Sequence, residues 1–359
     1  MKTVILHNIL SSNSVYKLKT FINANRKNLG EVEVWFCGAT ESNRHWQLHE
    51  KIPFKYKILR SLKLELRGAD LFTYFLSFSV LSELRKNNPD RVIINGWDQF
   101  AYQLTYIWAF MNHVPITLWS GSTVNEKSWR RTITLPLVKW FVHISANYIA
   151  YGQRAKEYLQ ILGADSNKIT IFLNDVNQAY FRGQAQILLP KRQRLQKQLR
   201  ITTPHTLLFV GQLIERKGVM DLLNAFSVFA GTHRDWSLVL VGDGILKQRI
   251  STLIQTLKIP RVHLLEEYEQ YNLPKVYACA DYLILPSHEE VWGLVINEAL
   301  ASGLKVIASD VCGCVPDLVV PSLNNFVFKT GSVRSLITVL NRAAQHERRN
   351  AQSQTKLLR

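Results

Sequence analysis

Leu207-Leu-Phe-Val-Gly-Gln-Leu-Ile-Glu-Arg-Lys-Gly218, running into the apolar-periodic stretch Val219 to Phe229, decides how the fold is read. Four apolar residues closed by a glycine read as a buried strand. The polar turn and the 3.6-residue periodicity that follow read as a helix. A strand feeding a glycine turn and then a helix is the repeating unit of a parallel α/β sheet. Working outward, the same rhythm recurs at Leu238-Val-Leu-Val241, Val262-His-Leu264, Tyr282-Leu-Ile-Leu285 and Lys305-Val-Ile307. An earlier series of apolar runs precedes it at Val4-Ile5-Leu6, Val32 to Phe36, Val92-Ile-Ile94, Ile116-Thr-Leu118, Tyr148-Ile-Ala150 and Ile169-Thr-Ile171. Helices are expected between them, at Val15 to Asn25 and Leu71 to Lys86 among others.

Two series in 359 residues imply two domains rather than one core. The division is expected within 175–203: a first domain over 1–177, a basic linker over 178–203 and a second domain over 204–359. The last helix is expected to pack back on the first domain. A hydrophobic content of 47% with 20% charged residues excludes a disordered chain. Leu104 to Trp119 is interrupted by Asn112, His113 and Pro115, so it reads as a helix and a strand rather than a membrane span. The apolar run in Met1 to Leu6 is too short for a signal peptide and reads as a first buried strand. Cys37, Cys279, Cys312 and Cys314 form neither a disulfide framework nor a zinc ligand pair, so a reduced, cytoplasmic protein is expected.

Charge separates the halves. Residues 1–200 carry 28 Lys/Arg against 13 Asp/Glu, while residues 201–359 carry 16 against 14. Basic residues in the first half are interleaved with aromatics at Lys51 to Lys57, Trp129-Arg130-Arg131 and Lys139-Trp140-Phe141. Cations mixed with amphipathic rings fit peripheral contact with an anionic membrane, and equally a solvated basic face. No helix-turn-helix, RRM or zinc pattern accompanies the charge, which argues against nucleic acid as a partner.

The chemistry gathers in the second series. Glu290-Val-Trp-Gly-Leu-Val-Ile-Asn-Glu298 sets two carboxylates around a Gly-Leu step at the mouth of a helix that ends before Gly303. Unpaired N–H groups along Trp292-Gly293-Leu294 would suit a phosphate. Carboxylates beside a phosphate cradle suit hydroxyl groups, and a nucleotide-sugar carries hydroxyls on both sides of its diphosphate. The plain readings are a helix cap for Glu290, a solvated helix side chain for Glu298 and a surface cation for Lys217. Lys217, after the turn at Gly211 and Gln212, could support charge on a leaving group. Glycine turns at Val241-Gly-Asp-Gly244 and Asp310 to Asp317 also fall at strand ends, where ligands of open α/β sheets sit. Asn95 and Trp97, at a strand end in the first half, could line an acceptor cleft or belong to the core.

Together, Val210-Gly-Gln-Leu with Arg216-Lys217-Gly218, the Glu290-to-Glu298 spacing, Glu298-Ala-Leu-Ala-Ser-Gly303, Gly313 with Pro316-Asp317, and Lys168 to Asn177 resemble the retaining glycosyltransferases of family four. The resemblance covers roughly 145–330. It implies the GT-B architecture, two Rossmann-like parallel-sheet domains facing a central cleft. By it, Lys217 neutralises the departing diphosphate, Glu290 binds a donor-sugar hydroxyl, Gly293-Leu294-Val295 holds the distal phosphate and Glu298 binds ribose. Gln212 stands where the family often has arginine, leaving Arg216 as a substitute. The loop Leu10 to Ser14 lacks the family's glycine pair. Trp119-Ser120 lies about where a histidine near the donor sugar is common, and Asp317 replaces a common glutamate. The implied activity is retaining transfer from a UDP- or GDP-type sugar to an acceptor hydroxyl, expected on a lipid-linked or surface-polysaccharide intermediate such as lipopolysaccharide. The acceptor is assigned to the basic first domain. With no Asp-x-Asp triplet in the chain, neither metal nor other cofactor is expected. The rival readings are a nucleotide-sugar epimerase of the same architecture and a non-enzymatic binder of anionic membranes.

Overall fold

The computed structural model describes residues 1–39, 51–67, 71–126, 129–266, 270–321 and 325–357. It resolves into two compact units, Met1–Val176 and Asn177–Arg359.

The first unit is built on a seven-stranded sheet of order β3-β2-β1-β6-β7-β8-β9. Its strands are β1 (Lys2–Ile9), β2 (Glu31–Gly38), β3 (Lys55–Ile58), β6 (Arg91–Ile94), β7 (Ile116–Ser120), β8 (Asn147–Ala150) and β9 (Ile169–Ile171). All neighbouring pairs are parallel. A parallel sheet must be covered on both faces, which is why its strands read as unbroken apolar runs. The helices are α1 (Ser12–Ala24), α2 (Arg26–Leu29), α3 (Ser79–Asn87), α4 (Phe100–Met111), α5 (Trp129–Ile144) and α6 (Gln153–Ile161). Side chains alternate along each strand, so Val4, Leu6, Val92, Ile94 and Leu118 join one core cluster while Ile5, Ile93, Trp119 and Ile149 join Leu18 and Phe21 of α1 in another.

The helix expected over Leu71 to Lys86 is not formed as one piece. β4 (Leu62–Arg67) and β5 (Leu71–Leu76) pair as an antiparallel hairpin, and the helix starts only at Ser79. Leu-Phe-Thr-Tyr-Phe-Leu is rich in aromatic and β-branched residues, which favour an extended chain. The basic Lys51 to Lys57 run likewise contains the edge strand β3, where Lys55 pairs with Glu31 at 3.1 Å and Lys57 with Glu83.

The second unit carries a six-stranded parallel sheet of order β12-β11-β10-β13-β14-β15. The strands are β10 (His205–Val210), β11 (Trp236–Val241), β12 (Val262–Leu265), β13 (Tyr282–Leu285), β14 (Lys305–Ser309) and β15 (Phe326–Phe328). Counted within the unit, this is the doubly wound 3-2-1-4-5-6 order, reversing between β10 and β13. Its helices are α7 (Gln178–Leu188), α8 (Arg192–Gln198), α9 (Val219–Thr232), α10 (Lys247–Thr256), α11 (Leu273–Tyr277), α12 (Leu294–Ala301), α13 (Val315–Leu318) and α14 (Val333–Leu357). The 178–203 segment is largely helical, and Arg192 and Gln196 of α8 bond the carbonyls of Ala280 and Cys279 at 3.0 Å each. Glu347 of α14 accepts from Tyr282 at 2.8 Å and pairs with Lys305, tying the last helix to its own sheet. Two parallel α/β sheets of this kind are the GT-B fold class. Among the described residues, no helix is long and apolar enough to cross a membrane.

Candidate functional site

β10 and β13 are neighbours where the strand order of the second sheet reverses, so the loops after them diverge and leave a crevice at their C-terminal ends. Lys217 follows β10 and Glu290 follows β13. The fold brings them together: Lys217 Nζ donates to Glu290 Oε2, and both side chains are mostly buried. Gly218 makes this approach possible. It holds a left-handed φ of 66°, and a Cβ there would lie 2.0 Å from the Pro286 carbonyl oxygen. The Arg216 carbonyl accepts the His288 N–H at 2.7 Å, stitching the two loops through their backbones.

The Glu290 carboxyl sits below its ordinary range. Burial alone would raise it, but the charge of Lys217, the hydrogen bond from Lys217, the charge of Arg216 and a contact from Ser287 together override burial. Glu290 is therefore ionised in a nearly dry setting and keeps an ammonium beside it. It does not cap the helix: the N-cap of α12 is Gly293, in a left-handed conformation at φ 98° with no side-chain cap.

The uncapped start of α12 leaves Leu294 and Val295 in the first turn, where main-chain N–H groups have no partner within the helix. Three hydrogen bonds hold it in place. Trp292 Nε1 donates to Asn297 Oδ1 at 3.0 Å, and Gly313 and Cys314 donate from the next strand-end loop to the carbonyls of Glu290 and Trp292 at 3.1 and 3.2 Å. Ser309 Oγ reaches the Ser287 carbonyl at 2.6 Å.

Glu298 is not a solvated helix residue. It is 3% exposed and accepts from Tyr277 Oη at 2.7 Å. Tyr277, on α11, was not singled out from sequence; nothing local to it points to Glu298. His288, in the loop after β13, pairs with Asp221 at 2.8 Å and is partly exposed. Gly211 and Gln212 form the turn after β10, with the Gly211 N–H on the Val241 carbonyl at 3.0 Å. Among the described residues, no group of three or more His, Cys, Asp or Glu side chains is placed to hold a metal.

The candidate acceptor residues belong to the first unit. Asn95 and Trp119 share the α1 face of that sheet, whereas Trp97 packs against the opposite core, its ring 6.5 Å from Tyr158. Ser120 is buried and accepts from the Ser122 N–H at 3.2 Å.

Residues 191–356 match the family described as Glycosyl transferases group 1. The chain is 30% identical over 143 residues to an uncharacterized glycosyltransferase of Haemophilus influenzae, which covers 38% of each. It is 22% identical over 272 residues to the lipopolysaccharide 1,6-galactosyltransferase of Salmonella typhimurium, covering 74% of this chain and 68% of that one. Among solved structures, it is similar to Anabaena Alr3699/HepE in complex with UDP-glucose, with a TM-score of 0.72 at 17% identity, covering 97% of this chain and 91% of that chain. The chain thus spans 38% of the length of the Haemophilus relative. The likeness to the solved structure shows the GT-B fold.

Proposed function

We propose that the protein is a retaining glycosyltransferase of the family-four type, moving a sugar from a UDP- or GDP-type donor to an acceptor hydroxyl. The observation that carries this reading is the Lys217–Glu290 pair at the reversal of the second sheet, beside the uncapped α12 that buries Glu298. A diphosphate needs a cation and main-chain donors; Lys217 and the Gly293-Leu294-Val295 turn supply both without a metal. Glu298, oriented by Tyr277, accepts from ribose hydroxyls, and Glu290 accepts from a hydroxyl of the donor sugar. As the glycosidic C–O bond breaks, Lys217 and Arg216 offset the charge growing on the leaving phosphate. That phosphate oxygen takes the proton of the attacking acceptor hydroxyl on the same face, so configuration is kept.

The test is nucleotide release from a panel of UDP- and GDP-sugars, with and without a lipid-linked or polysaccharide acceptor. Lys217→Met is expected to lower kcat by about 10²–10³-fold, the usual loss for one group stabilising a leaving anion. Parental turnover in both Lys217→Met and Glu298→Gln would refute the assignment. Conversion of the donor to its epimer without nucleotide release would instead identify an epimerase.

The acceptor is proposed to be a lipid-linked or surface-glycan intermediate, in keeping with the Salmonella relative's name. A membrane contact is supported by one face of the first unit. Ile107, Phe110 and Met111 of α4 and Ile133 and Leu137 of α5 are exposed, and Phe110 packs on Trp140 at 5.6 Å. Neither helix holds an acidic residue, and Lys139 is exposed beside them. Arg131, by contrast, is engaged internally, donating to the carbonyls of Thr123 and Glu126 at 3.0 and 2.8 Å. Vesicles containing anionic lipid should retain the parent at low salt and lose Leu137→Glu.

A further inference from the structure

The first sheet also reverses direction, between β1 and β6, and its C-terminal edge there carries a polar cluster that joins Asn95 and Trp119 to His7, Lys17 and Tyr151, to which no role has been given. Leu6 pairs with Ile94, Ile94 with Leu118, and Trp119 with Ile149. One step further on, His7, Asn95 and Trp119 therefore fall on the same face of neighbouring strands, the face covered by α1, and Tyr151, two residues past Ile149, shares it. Lys17 descends onto them from α1. It is 6% exposed, donates to Tyr151 Oη at 2.5 Å, and lies 4.4 and 5.3 Å from the ring centroids of Tyr151 and Trp119. Tyr151 Oη in turn bonds Asn95 Oδ1 at 3.0 Å.

The direction of this chain is fixed by chemistry. An ammonium only donates, so the Tyr151 hydroxyl accepts from Lys17 and donates its own hydrogen bond to Asn95 Oδ1. The Asn95 amide is thereby oriented, its N–H groups turned away from Tyr151 at a half-buried position. Donors are in excess around it. Lys17 has further N–H groups, and the buried Trp119 Nε1 has no hydrogen-bond partner among the described residues. Among the described residues no carboxylate lies within ion-pair distance of Lys17. His7 is 7% exposed, and neither ring nitrogen completes a hydrogen bond of normal geometry. Burial, and after it the charge of Lys17, holds its imidazole well below the ordinary histidine range, a weak contact to the Ile9 backbone acting the other way. His7 is thus neutral and adds no second cation.

A buried ammonium with no counter-ion among the described residues, next to unsatisfied donors, is costly unless a ligand completes it. We propose that Lys17, Tyr151, Asn95, Trp119 and His7 form a binding site for a phosphate group at the strand ends of the first unit. Asn95 meets the phosphate oxygens directly, and Lys17 acts behind it through Tyr151 as a positioning residue and a source of positive potential. Gly121 lets the Tyr151 ring into place, since a Cβ there would lie 2.1 Å from a ring carbon. The phosphate could come from a nucleotide diphosphate or from a lipid monophosphate. The inference concerns binding in the first unit and rests on the proposed sugar transfer for the choice of phosphate-bearing ligands.

The experiment is calorimetric titration of the full chain with UDP, with farnesyl phosphate in micelles, and with neutral methyl glucoside, for the parent and for Lys17→Met, Tyr151→Phe, Asn95→Ala and Glu298→Gln. At least one phosphate probe should lose tenfold or more in affinity in Lys17→Met and Asn95→Ala, with a smaller loss in Tyr151→Phe and none for the neutral sugar. Loss confined to farnesyl phosphate assigns the site to a lipid-borne acceptor, and loss confined to UDP assigns it to the donor. Lys17→Met should melt no lower than the parent, because it removes a buried charge. Asn95 is half-buried, so its variant keeps the test open if Lys17→Met fails to fold. Parental affinity for both phosphates in Asn95→Ala, or no binding of either by the parent, would overturn the proposal. Loss of UDP affinity in Glu298→Gln, with both phosphate probes bound at parental affinity by Lys17→Met and Asn95→Ala, would leave the second-unit reading standing and defeat this one.

Discussion

Lys217 and Glu290 hold each other at a place where neither is well hydrated, so removing one is not the same as removing both. Truncating a single partner strands a charge in a low-dielectric setting, which commonly costs about 3–5 kcal/mol when burial is deep. Glu290→Leu should therefore lower Tm more than the double variant Lys217→Met/Glu290→Leu, while both lose transferase activity. Equal melting of the single and double variants would show that the pair is not electrostatically coupled. Gly218 is a second residue-scale constraint. Gly218→Ala would set a methyl 2.0 Å from the Pro286 oxygen at a φ of 66°. A loss of about 1–3 kcal/mol is expected from strain alone, and denaturant unfolding would measure it. Lys217 was legible in the sequence as a cation after a glycine turn. Its partner was legible as an acid before another, but that they meet was not.

At the scale of elements, α8 shows how a basic run becomes structural. Arg192 pairs with Asp281 at 2.8 Å, and Asp281 also accepts the Thr206 N–H at 2.7 Å, joining α8 to the starts of β10 and β13. Burial raises the Asp281 carboxyl, and the opposing pull of Arg192 and Thr206 does not fully offset it. Arg192→Ala should lower stability by about 1.5–3 kcal/mol, the range for a hydrogen bond to a charged group, and push the Asp281 carboxyl higher still, which chemical-shift titration would follow. From sequence, the 178–203 segment reads as a linker because its charge suggests solvent. The hairpin of β4 and β5 was missed for a related reason: a stretch with both aromatic and helical features is settled by its pairing partner, not by its own periodicity.

Across the whole molecule, acid should act in two windows. His7 has a folded pKa below 6.5, so the unfolded chain takes up that proton first. Its contribution is full above about 6.5 and is lost as the pH falls below it. Glu290, depressed below 4.5, contributes fully above that value and loses its share as the pH falls through its folded pKa. Melting temperatures measured from pH 7.5 to 3.5 should show both declines, the first absent from His7→Asn and the second reduced in Glu290→Leu. The sequence by itself determined the two series of buried strands, their parallel sheets and the strand ends where chemistry gathers, because runs of apolar residues and glycine turns act over a few positions. Only tertiary structure decided that Lys17 meets Tyr151 across 134 residues and Lys217 meets Glu290 across 73. Strand order and register set those meetings, and both depend on packing between segments whose local patterns carry no record of one another.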